Sequence, residues 1–178
     1  MNFSCYTEKS RLVLHEGQTL ASRSNHQRYT CEHLFLALLK EESGLASRLL
    51  GLFQLSPESL QKEVLGALSK LPLVEGSGAG QLFMDPVLIK ALEQAEKDAE
   101  SHGDRFVSLE RLLAALLVTP GSSLYAYAQS QGVSGAKIHQ ALETFRQGRK
   151  VDSEAAEDSF EALNKYARDM TALAREGK

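Results

Sequence analysis

The chain contains itself twice. Thr30-Cys31-Glu32-His33-Leu34-Phe35-Leu36-Ala37-Leu38-Leu39 returns in degenerate form as Ser108-Leu109-Glu110-Arg111-Leu112-Leu113-Ala114-Ala115-Leu116-Leu117, 78 positions later. Without any gap, the same offset pairs Leu14 with Leu92, Ala21 with Ala99, Leu55 with Val133, Ser56 with Ser134 and Leu60 with Ile138. A period this long is one multi-helix unit duplicated once, rather than a propeller blade or a short solenoid turn. It predicts two similar halves, related by a pseudo-twofold axis, in one globule.

Each half reads as four helices. In the first, Thr7 caps a helix with Val13, Gly17, Leu20 and Ala21 on one face, ending at the polar breaker Ser24-Asn25-His26-Gln27. Thr30 caps the second, and Glu32 in its first turn meets the positive end of the helix dipole. This segment is apolar nearly all round, so protein must surround it, and its copy at 108–117 must be central too. Ser43-Gly44 breaks the chain before a short helix carrying Ala46, Leu49, Leu50 and Phe53, and Ser56-Pro57 opens a fourth. The second half replays this from Asp85-Pro86, with Gly103-Asp104, Ser108, Ser122-Ser123 and Ser134 at the boundaries.

The expected fold is therefore all-α: two four-helix repeats, about 6–70 and 84–147, inside a domain over 1–148. The stretch 71–81 is too rich in Gly and Pro for regular structure and reads as a flexible crossover. An acidic linker follows over 149–158, and 159–178 reads as a helix whose stripe of Phe160, Leu163, Ala167, Met170 and Ala174 needs a partner surface.

Several function classes are disfavoured. A net charge of −3 provides no field for nucleic acid or anionic lipid, and no apolar stretch approaches the roughly 20 residues that span a bilayer, so the expected location is cytoplasmic. Cys5 and Cys31 are too few for a disulfide framework, and the five histidines contain no i, i+4 metal pair. Cys31 and His33 are two apart on a helix, point in different directions and make no catalytic dyad. The glycines at 76–80 lack the lysine of a phosphate loop. Paired acids such as Glu41-Glu42 and Glu157-Asp158 read as solvated charge. The pattern is that of a binding module with no catalytic residue, metal or cofactor of its own.

The residues Tyr29 to Leu34 and Gly103-Asp104-Arg105-Phe106-Val107-Ser108-Leu109-Glu110 resemble the N-terminal domain of Clp chaperone ATPases. Leu71 to Gly78 resembles the inter-repeat loop of the ClpB, or disaggregase, branch, and 156–178 is similar to the segment leading to that branch's first AAA+ module. The resemblance implies a mobile domain that engages unfolded or aggregated client proteins and passes them to an ATPase ring, in cooperation with the DnaK system. ATP and magnesium would belong to the full-length protein, a hexamer; alone, this chain is expected to be a monomer.

The resemblance places client contacts at Thr7, Asp104 and Glu110, polar and reachable at the helix entrances. Each also has a structural reading, as N-cap, turn residue and first-turn acid respectively. It also places a peptide groove at Gln94, Asp98 and Arg111, where relatives carry apolar walls and this chain is polar. Glu32 is expected to be a relic of the duplication. The alternative function is an adaptor-docking or scaffold domain of a protease-associated Clp ATPase.

Overall fold

The computed structural model describes residues 2–162 and 174–175. Repeat 1 comprises α1 (Glu8–Arg23), β1 (Arg28–Tyr29), α2 (Cys31–Lys40), α3 (Leu45–Leu52) and α4 (Pro57–Leu68). Repeat 2 comprises β2 (Phe83–Met84), α5 (Pro86–Ser101), α6 (Leu109–Val118), α7 (Ser123–Ser130) and α8 (Gly135–Arg146). The helices start where side chains can satisfy orphan N–H groups. Thr7 accepts from Ser10 N, Ser56 from Ser59 N, Asp85 from Val87 N, Ser122 from Tyr125 N and Ser134 from Lys137 N. Proline sits in the first turn of both α4 and α5, where its missing N–H costs nothing.

The two central helices lie where their apolar perimeter requires. From Leu109 to Leu117 every residue of α6 is buried, and so is most of α2, including Leu34, Phe35, Leu36, Ala37 and Leu38. Each buried leucine contributes about 1.5–3 kcal/mol relative to exposure, so these helices and the faces of α1 and α5 packed on them supply the core. Gly17 is required on α1 because the Tyr29 ring lies against it: a Cβ there would stand 2.5 Å from Tyr29 Oη. That hydroxyl donates to Leu14 O at 2.9 Å.

The repeats are interlocked. β1 and β2 pair in parallel, with Tyr29 opposite Met84. Their twins, Val107 and Tyr6, form a parallel bridge of their own. Asp85 N donates to Tyr29 O at 2.9 Å, and its twin Thr7 N donates to Val107 O at 3.0 Å. Thus the entry segment of each repeat pairs with the segment before the other's central helix. Pairings of one or two residues carry no alternating pattern, so periodicity does not reveal them.

Three expectations change. Glu32 is no relic: its Oε1 accepts from both Ser123 N and Ser123 Oγ at 2.9 Å, fastening repeat 1 to the start of α7. The crossover is anchored at both ends, because Val74 N donates to Asn25 O at 2.9 Å and Phe83 N to Gln27 O at 2.8 Å. The stretch 149–158 is no free linker either. Val151, Ala156 and Glu157 are buried, and the chain is helical from 156 rather than 159. Charge density alone cannot show that a carboxylate has a helix N-terminus to sit on. The expected helix 159–178 lies outside the described residues beyond 162, apart from 174–175.

Candidate functional site

The entrances of α1 and α6 meet at the Tyr6–Val107 bridge, and residues 151–157 lie across them as a strap. The strap is held largely through main-chain groups. Arg105 N donates to Val151 O at 2.8 Å, Glu8 N to Glu154 O at 2.9 Å and Val151 N to Asp104 Oδ1 at 3.0 Å. At its far end Glu157 Oε1 accepts from Thr7 Oγ1 at 2.6 Å and from Leu109 N, the first amide of α6, at 3.1 Å. Lys9 reaches Glu161 at 3.0 Å and Arg11 reaches Glu154 at 2.6 Å on the outside. The Arg149 guanidinium lies 5.0 Å from the Phe160 ring centroid, within cation–π range.

Beneath the strap runs a buried ionic network. Arg146, in the last turn of α8, grips Asp104 in bidentate fashion at 2.6 and 2.5 Å. Arg111 Nε lies 3.4 Å from Asp104 Oδ2, Arg111 Nη2 lies 3.6 Å from Glu143, and Arg146 Nε lies 3.7 Å from Glu110. Burial works to raise the Asp104 carboxyl, but Arg146, the Val151 amide and Arg111 outweigh it and hold its pKa below the usual carboxylate value. Glu157 goes the other way: burial, with the nearby charge of Glu110, pushes it up to about 7 against the hydrogen bonds from Thr7 and Leu109.

The sequence-derived sites divide accordingly. Thr7, Asp104, Glu110 and Arg111 are brought together, with exposures of 0, 8, 2 and 1%, so Asp104 and Glu110 are not reachable as expected. Arg111 is no groove wall, because its guanidinium is spent on Asp104 and Glu143. Gln94 and Asp98 sit half-buried one turn apart on α5, bonded to each other at 2.8 Å. Arg146, Glu143 and Glu157 were missed. Arg146 sits in a run of basic residues and Glu157 in a run of acids, and neither spacing relates them to Asp104 or Thr7.

A partly apolar groove does exist, along α1 of the other repeat. A groove of about 770 Å³, it lies along α1 and the end of α2, lined by Leu12, Val13, Leu20 and Ala37 together with charged residues such as Lys9, Glu16, Lys40 and Glu42. The twins of Leu12 and Leu20 are Lys90 and Asp98, so the two repeats have opposite polarity on this face. No helix among the described residues is long and apolar enough to cross a membrane. Nor do three potential metal ligands gather anywhere among them.

Two interlocked four-helix repeats define the class. The chain belongs to the Clp repeat (R) N-terminal domain family, whose model matches residues 5–131. Over its full 178 residues it is 40% identical to the chaperone protein ClpB of Rhodopseudomonas palustris and 38% identical to that of Rhizobium meliloti. It spans 20% of the length of each. Among solved structures, the Hsp104 N-terminal domain of Candida albicans superposes with a TM-score of 0.70 at 18% identity, covering 85% of this chain and 97% of that one. The N-terminal domain of the ClpV1 ATPase from E. coli gives 0.58 at 18% identity, covering 78% and 83%.

Proposed function

We propose that this chain is the client-binding N-terminal domain of a ClpB-type disaggregase, with its client face at the entrances of α1 and α6. One observation carries the reading. The face around Thr7 and Asp104 already holds a polypeptide segment, residues 151–157, and Glu8 N, Arg105 N and Asp104 Oδ1 all bind that segment through its backbone groups. Main-chain bonds are independent of sequence, which is what a domain that handles varied unfolded proteins requires. The groove along α1, lined in part by Leu12 and Leu20, adds some apolar surface, worth about 25 cal/mol per Å² covered.

In this reading the client passes to an ATP- and magnesium-dependent hexameric ring in the remainder of the protein, in cooperation with the DnaK system. Full-chain matches to ClpB chaperones support this over the adaptor-docking alternative. The experiment is an NMR titration with reduced, carboxymethylated α-lactalbumin, a permanently unfolded protein. Amide shifts should cluster at Thr7, Asp104, Glu110 and the strap; saturating client that leaves these signals unmoved would refute the assignment.

A further inference from the structure

We infer that residues 151–157 are an intramolecular competitor for the client face and that Glu157 is the latch. This rests on the proposed client site and specifies how that site is regulated and what chemistry it accepts: a hydrogen-bond acceptor, carboxylate or carbonyl, seated at the start of α6.

The geometry of the latch is that of a ligand rather than of an ordinary cap. A self-capping helix uses the residue at its own N-cap, and α6 has one available in Ser108. Yet Ser108 makes no side-chain cap bond, and its buried hydroxyl has no hydrogen-bond partner among the described residues. Leu109 N is served instead by a carboxylate 48 residues away. The twin helix shows that the fold does not need such a device. At the start of α2, Thr30 N donates to His33 Nδ1 at 3.1 Å and the Thr30 hydroxyl lies 3.0 Å from the same nitrogen, so the local residues satisfy one another. A cavity of about 190 Å³ lies at that entrance, its lining including Thr30, Cys31, Glu32 and Asp85. These four are the twins of Ser108, Leu109, Glu110 and Thr7. Among the described residues the α6 entrance thus carries a carboxylate from its own chain, and the α2 entrance a cavity.

The latch is also set to be displaceable. Glu157 Oε2 is buried without a partner, and the Glu110 carboxylate opposes its charge, so the seat holds Glu157 imperfectly. Arg146 cannot neutralise it, being committed to Asp104. An arriving segment gains what the strap gives up: Leu109 N, Thr7 Oγ1, Arg105 N and Glu8 N as donors, and the apolar seats of Val151 and Ala156.

Self-occupancy has a measurable cost for the client. Apparent affinity falls by the fraction of molecules whose site is open, so a strap docked nine-tenths of the time weakens binding about tenfold. The test uses the whole chain with two readouts: anisotropy of labelled, carboxymethylated α-lactalbumin, and amide hydrogen exchange at Val151 and Leu109. Glu157→Ala should speed exchange at both amides and tighten probe binding about fivefold. Glu157→Gln keeps an oxygen for Thr7 and Leu109 and, at pH 5, where Glu157 is protonated too, should stay close to the parent chain in both readouts. Faster exchange without tighter binding would overturn the competition while leaving the client site standing, and unchanged exchange would overturn the latch. Failure of the probe to bind even with the strap released would remove the client site itself. Should Glu157→Ala lose its helical circular dichroism, Lys9→Ala with Arg11→Ala loosens the strap from outside and is read by the same two measurements.

Discussion

His26 Nδ1 and His33 Nε2 approach to 2.8 Å, at the positions that Asp104 and Arg111 hold in repeat 2. In repeat 2 the corresponding contact is an ion pair, Arg111 Nε to Asp104 Oδ2 at 3.4 Å. Duplication kept the geometry and exchanged a neutral hydrogen bond for a charged one. Two facing imidazoles this close must share one proton. Burial, with the repulsion of His26, lowers His33 to about 4, and burial lowers His26 as well.

The first prediction concerns acid stability. A folded-state pKa below the unfolded value means that the unfolded chain binds protons first, so stability from this pair is present above about pH 6.5 and is lost as pH falls towards 4. The thermal midpoint should drop across that window, and His33→Gln should flatten the slope. Equal slopes in the two proteins would show that the pair does not govern it.

Asp104 and Arg146 should be the most costly single losses. Removing either leaves the other buried and uncompensated, at about 3–5 kcal/mol. Urea denaturation of Asp104→Ala and Arg146→Ala should show losses of that size, with a double variant losing much less than their sum. Additive losses would mean that the two act separately.

Strap docking should itself depend on pH, with a sign opposite to that of the histidines. The Glu157 pKa is raised to about 7, so the docked state favours the proton, and its stabilisation is full below about pH 4.5 and fades as pH rises through 7. Of the groups around it, Glu110 opposes ionisation, whereas Thr7 Oγ1 and Leu109 N favour it. Protection of the Val151 amide, corrected for intrinsic exchange, should decline between pH 5 and 8, and Glu157→Gln should abolish the decline.

Glu32 offers a quieter test. Glu32→Ala removes the acceptor for Ser123 N and Ser123 Oγ and should cost about 1 kcal/mol, the usual value of a lost cap, with faster exchange at the start of α7. Glu32→Gln keeps the acceptor and should recover most of the loss.

The helices and their order were legible because each is written locally: Thr7, Ser56, Asp85 and Ser134 announce starts, and the all-apolar 109–117 run announces a buried helix. What lay beyond local reading was assembled over distance. Asp104 meets Arg146 across 42 positions and Thr7 meets Glu157 across 150. No periodicity links such pairs. Glu157 misled for a further reason: acidic side chains in a polar run are usually solvated, and nothing in 152–158 shows that one of them lies over a helix amide.

The crossed pairings of Tyr6 with Val107 and Tyr29 with Met84 bear on what either repeat is worth alone. A single repeat carries an entry segment with nothing in its own chain to pair with, and a central helix whose threshold awaits someone else's backbone. Two copies answer each other's need, so the unit is complete only in pairs. The present chain is in effect a strand-swapped dimer tied into one polypeptide, and its 71–81 crossover is the tether that replaced diffusion with proximity.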